Sequence, residues 1–172
     1  MSIHIIIDGY NLIRQSNKLS EFDNQSLQFG RDALVETLVA YKKIKPHKIT
    51  VVFDGINAPS FLQHNDYIKG IKIIFSRQGE SADTVIKKMA SIEKERALIV
   101  SSDNDISHYA SRHGAATINS NAFEKKITMA AYTDTRRIAE ENSGWQRSTK
   151  KKGPKKRLSK KNRRTKIKLR KL

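Results

Sequence analysis

Five aspartates and one asparagine carry the residue types that could do chemistry in this 172-residue chain. Asp8 closes the run IHIIID and is followed by Gly9, Tyr10 and Asn11. Asp54 closes KITVVFD, Asp103 follows ALIVSS, and Asp105 lies two residues further on. Asp83 falls in SRQGESADTVIKKM, where a helix is expected to begin. Carboxylates gathered without His or Cys are hard oxygen ligands, which suit Mg²⁺ or Mn²⁺. Such ions polarise a phosphoryl oxygen and acidify bound water. Two carboxylates ~5 Å apart repel by roughly 3 kcal/mol at an effective dielectric near 20. A group of them therefore calls for a cation or for proton uptake. Each Asp also has a plainer reading as a helix cap or turn residue. Asn11 has two roles open to it, a bond to substrate phosphate or metal-bound water, and a loop cap.

The elements around these residues decide whether they meet. Ile3–Asp8, Lys48–Asp54, Ile71–Phe75, Ala97–Val100 and Ala115–Ile118 read as short buried strands. Between them, helical spacing is expected from Ser26 to about Lys43 and after Glu80 or Ser81, with Val85, Ile86, Met89 and Ile92 on one face. A short helix is expected over Ile106–Arg112, ending at Gly114. Asn121 is the expected cap of the last body helix, which reaches about Glu141 and stops near Gly144. Ser16–Asn24 reads as a polar turn and Ile56–Lys69 as a long loop. Strands alternating with helices give an α/β domain with a central parallel sheet covered on both faces. In such a sheet Asp8, Asp54 and Asp103 end strands at one edge, and the helix holding Asp83 starts there. Ligands bind at that edge.

Charge divides the chain. All 17 acidic residues lie in 1–145, against 19 Lys and Arg, leaving +2; residues 146–172 carry 15 Lys and Arg and no acid. The reading is an ordinary domain over 1–145 and a basic tail over 146–172, with the boundary near Gly144–Lys152. There is no cysteine, which excludes disulfides and thiolate metal sites. No apolar run is long enough for a membrane span or signal-peptide core, so the expected location is cytoplasmic. The five histidines are scattered without ligand spacing and read as surface or helix-end residues.

In the tail, Lys150, Lys151, Lys152, Lys155, Lys156, Arg157, Lys160, Lys161, Arg163 and Arg164 are candidates for binding nucleic-acid phosphates. Leu158, Ile167, Leu169 and Leu172 are too few for a core of their own. A disordered solubilising arm and a helix ordered on RNA both fit this composition. A carboxylate group beside a polyanion-binding tail points to phosphodiester hydrolysis. Tyr10, Phe61 and Tyr67 could stack on bases; packing is the first reading for Tyr10.

DGYNLI, VVFDG, FSRQGESADTVI, IVSSDNDI and HGAATINSNAF occur in an order and spacing that resembles the YacP-like branch of NYN domains, within the PIN-like nuclease superfamily. The resemblance runs from Ile3 to about Glu141. It implies a three-layer PIN-like α/β fold and a metal-dependent endoribonuclease. By position, Asp8 matches the first acid, Asn11 the Asn of the DGYN motif, Asp83 the acid of the ADxxI helix, and Asp103 the acid after the fourth strand. Asp54 and Asp105 are secondary. The resemblance implies an RNA substrate, mRNA or ribosomal RNA, with action at the ribosome for some relatives; the tail's scattered apolar residues make only a weak membrane anchor, so no membrane partner is expected. A non-cleaving RNA-binding module and a flap-type DNA nuclease are the alternatives.

Overall fold

The computed structural model describes residues 3–55, 64–143 and 160–172; the side chains at 64–65, 136–143 and 160–161 fall outside the description. Its strands are β1 (His4–Asp8), β2 (Lys48–Phe53), β3 (His64–Ile68), β4 (Ile71–Phe75), β5 (Ala97–Val100) and β6 (Ala116–Ile118). They form one sheet in the order β3-β4-β2-β1-β5-β6. All pairings are parallel except β3 with β4.

β1 shows why the strands are apolar on both sides. Ile5 and Ile7 pack into one core cluster and Ile6 into another, all three fully buried. The first cluster joins the sheet to α1 (Gly9–Gln15), α2 (Asn17–Gln25), α3 (Leu27–Ile44) and α6 (Ser120–Ser143). The second joins it to α4 (Ala82–Glu93) and α5 (Asn104–Arg112). The result is the expected three-layer α/β architecture. The chain leaves β1 toward β2 and β4, then crosses back to β5 on the other side. The sheet's switch point therefore falls between β1 and β5, where such folds open a crevice.

Four local readings change. The stretch expected to be loop up to Lys69 contains β3, an antiparallel edge strand. Lys69 and Gly70 both have positive φ, 47° and 82°, which suits a two-residue hairpin turn. Lysine at the first of these positions hides the usual Asn-Gly signal. The polar stretch after Ser16 is helical, because Ser16 caps it by accepting from Leu19 N and only Leu19 is buried. Asn119, not Asn121, caps the last body helix: its side chain accepts from Asn121 N at 2.9 Å and its carbonyl from Phe123 N at 2.9 Å. His4 is not a surface residue; it is buried, with Nε2 2.8 Å from Thr50 Oγ1 and Nδ1 3.1 Å from Glu93.

The basic end also differs. Helix α7 (Lys160–Lys171) lies against the body, Leu172 is buried in the first core cluster, and Leu169 packs on it. Two leucines that cannot make a core alone contribute to one already built. Lys150, Lys151, Lys152, Lys155, Lys156, Arg157 and Trp145, like Phe61, lie outside the described residues.

Candidate active site

Asp8 ends β1 and caps α1. Its Oδ1 accepts from Asn11 N at 3.2 Å, and its Oδ2 accepts from Ser101 Oγ at 3.2 Å. Gly9 lets α1 start there, since a Cβ would lie 2.3 Å from the Phe53 ring. Asp103 caps α5 in the same way, accepting from Asp105 N at 2.6 Å and Ile106 N at 3.2 Å, both on Oδ1. Asp83 stands in the first turn of α4, with Ser81 as the cap. Asp54 follows β2 and accepts from Ser76 Oγ at 3.2 Å, while Ser76 Oγ accepts from Gly55 N at 2.9 Å. The helix-cap reading and the shared-edge reading are thus both true of Asp8 and Asp103.

The acids feel one another. The Asp8 carboxyl is pushed up to about 6, chiefly by burial. The bonds from Asn11 and Ser101 pull it down, and the charges of Asp83 and Asp103 push it up. Asp83 is also raised, by burial first and then by Asp103, with Asp105 and Asp54 adding to it and Lys87 opposing. Asp105 is drawn aside. It forms an ion pair with Lys87, which holds its carboxyl below the usual range, and it is largely exposed. Lys87 lies one helical turn beyond Asp83, so the rim is not free of cations.

Asn11 serves as a clamp. Its Oδ1 accepts from Ser102 N at 3.0 Å and from Ser120 Oγ at 2.8 Å, tying α1 to the β5–α5 turn and the start of α6. Ser101, Ser120 and Ser76 are buried, and sequence reasoning does not single them out as site residues. The pair of serines before Asp103 is the available signal. Tyr10 packs edge-on against Phe53 at 5.1 Å, with its hydroxyl accepting from Arg31 at 3.1 Å and Arg14 over its ring. Tyr67 is exposed on β3.

The donor set around Asp8, Asp83 and Asp103 is all oxygen, as Mg²⁺ and Mn²⁺ require. Among the described residues no three acidic or histidine side chains form a ready-made metal-holding group. That excludes a closed protein cage in this arrangement. Asp8, Asp83 and Asp103 thus share one edge without forming a three-carboxylate ligand group.

The model of the YacP-like NYN domain matches residues 5–171. The chain belongs to the YacP-like NYN domain family. The match includes most of the basic end as well as the α/β body. One relative, an uncharacterized protein YacP of Bacillus subtilis (strain 168), is 28% identical over 86 residues. That alignment spans half of this chain and half of the relative's length. Two solved structures of Rae1 (YacP) from Bacillus subtilis share the fold. One, of a single-site mutant, has a TM-score of 0.67 at 21% identity over 82% of this chain and 84% of its own. The other has a TM-score of 0.66 at 22% identity over 84% and 83%. Among the described residues of this YacP-like protein, no helix is long and apolar enough to cross a membrane.

Proposed function

We propose that this chain is a metal-dependent endoribonuclease whose divalent ion, Mg²⁺ or Mn²⁺, would bind at the edge that carries Asp8, Asp83 and Asp103, with waters and substrate phosphate oxygens completing its shell. The observation that carries the reading is the placement of these three carboxylates at the switch-point edge, where burial pushes Asp8 up to about 6 and the charges of Asp83 and Asp103 add to it. A buried carboxylate in that state takes a cation in place of a proton. The ion would supply Lewis acidity at the scissile phosphate. Asp8 holds the site's innermost charge, Ser101 fixes its orientation, and Asn11 locks the loop that presents Asp103. Asp54 shapes the field at Asp83, and Asp105 is the outermost member. The Lys- and Arg-rich end, Lys150 to Arg163 with the exposed cations beyond, would bind RNA phosphates, on mRNA or on ribosomal RNA, whereas Arg164 is paired with Glu95. The reading places the protein in the cytoplasm.

A non-cleaving RNA-binding module is the competing reading. The capping duties of Asp8 and Asp103, and the lack of a ready-made ligand group among the described residues, favour it. One assay separates the two: purified protein with labelled RNA, with and without Mn²⁺, beside Asp8→Asn and Asp83→Asn. Mn²⁺-dependent internal cleavage that both variants lose is expected. Equal cleavage by wild type and variants would sink the assignment of the site.

A further inference from the structure

Helix α7 has two opposite faces. Thr165, Lys168, Leu169 and Leu172 point inward at helical spacing, all partly or fully buried. Arg163, Lys166 and Arg170 recur on the other side, all exposed. The inward face is fixed by several bonds. Lys168 Nζ donates to Ala97 O at 3.3 Å, His47 Nε2 to Lys171 O at 3.1 Å, and Tyr41 Oη to Leu172 O at 3.2 Å. Lys126 Nζ donates to Leu169 O at 3.0 Å, and Arg164 pairs with Glu95. Ala97 opens β5, Glu95 precedes it, and His47 precedes β2. The helix therefore sits at the edge where strands begin, whereas Asp8 and Asp103 stand where strands end.

We propose that the outer face of α7 is a rigid phosphate-binding anchor, remote from the carboxylates, so the preferred RNA is one that spans both sheet edges. The inference rests on reading the chain as a protein that acts on RNA. Strands of five residues rise ~17 Å, and with loops at each end the span is on the order of 25 Å. At 3.4 Å per nucleotide along a duplex, that is about seven base pairs. A fragment shorter than this reaches one edge or the other. A folded RNA reaches both, and its phosphates meet three cations that no acid among the described residues pairs. A membrane is the poorer occupant, since Leu169 and Leu172 face the core and only Ile167 joins the outer side.

The test uses the full chain and the variant Arg163→Gln, Lys166→Gln, Arg170→Gln, all exposed positions that leave the inward face intact. Binding of a hairpin of about twelve base pairs is measured in EDTA, where cleavage is silent, at 50 and 200 mM salt. The wild type is expected to bind more tightly, with its advantage shrinking about twenty- to forty-fold across that salt range as three phosphate contacts are screened. Arg163→Lys with Arg170→Lys is expected to keep wild-type binding. With Mn²⁺ present, kcat/KM in the Gln variant is expected to fall by a larger factor on the hairpin than on an oligonucleotide of about five residues. Equal affinity and equal salt slope would overturn the anchor. So would an equal loss on the short oligonucleotide, or tighter binding to phosphatidylserine vesicles than to the hairpin. If the binding difference holds and neither protein cuts either RNA, the nuclease reading fails and the anchor stands.

Discussion

Asp8 and Asp103 are joined through one hydroxyl: Ser101 Oγ donates to Asp8 Oδ2 at 3.2 Å and accepts from Asp103 N at 3.1 Å. The bridge spans the gap between β1 and β5, so it sets the spacing of the two strands' last carboxylates. Ser101→Ala is expected to raise the Asp8 carboxyl further, because one bond that lowers it is gone. The acid limb of the pH–rate profile should move to higher pH. Loss of a buried bond to a charged group should also cost about 1.5–3 kcal/mol, read by urea denaturation.

Asp8 weakens the fold at neutral pH. Its carboxyl takes up a proton near pH 6 when folded and near 3.8 otherwise. The folded state therefore binds more protons between those values, and stability falls as pH rises through that window. Above it the cost is full, about 2–3 kcal/mol. Asp8→Asn, which can still accept from Asn11 N, is expected to raise Tm by roughly 4–10 °C at pH 7.5 in a chain of this size. The gain should vanish below pH 4. A variant that melts earlier than wild type at pH 7.5 would contradict the charge argument.

A divalent ion should relieve the same cost. Mn²⁺ at a hundred times its Kd adds about 2.7 kcal/mol, or roughly 5–10 °C in Tm. Protons compete at Asp8, so the shift should be full at pH 7.5 and weaken as pH falls below about 6. EDTA should reverse it, and Asp8→Asn with Asp83→Asn should abolish it. Calorimetric scans with and without ion at two pH values check all three.

Gly55 is constrained by backbone. A Cβ there would lie 1.9 Å from Ser76 O, whereas at Gly9 it would meet the Phe53 ring. Gly55→Ala should therefore cost at least about 2–3 kcal/mol, as overpacking without room to yield does, and should uncouple Asp54 from Ser76. Urea midpoints for the two glycine variants will rank them.

Leu172→Ala should cost about 2–4 kcal/mol, as a buried leucine does, while Lys166→Gln on the same helix should change stability by less than about 0.5 kcal/mol. Equal and small effects at both positions would show that α7 is not part of the core.

The shared edge of Asp8, Asp54 and Asp103 was legible because each follows a β-branched or apolar run at a strand's end, although their capping roles were an open reading at the same time. Asp83 was legible from the helix period that follows it. The coupling of Asp8 to Asp103 was not, since it depends on Ser101 sitting under both and on which strands are neighbours. Asp105 already stood as secondary to Asp103 in the sequence, but the ion pair that draws it aside was hidden, because Lys87 reaches it from another helix. The hairpin before Ile71 escaped because Lys69 adopts positive φ without a usual turn residue. The docking of α7 escaped because Leu169 and Leu172 are surrounded by lysines and arginines, and composition does not say which side of a helix finds a partner.

Tyr41 and Leu172 close the same seam from distant parts of the chain. During synthesis the groove beside Tyr41 emerges long before the leucines that fill it. The nascent domain must therefore carry an uncovered apolar slot until its most positively charged segment arrives. Assembly of the two is then a late, long-range step, in which a cationic helix has to leave any nearby polyanion to finish the fold.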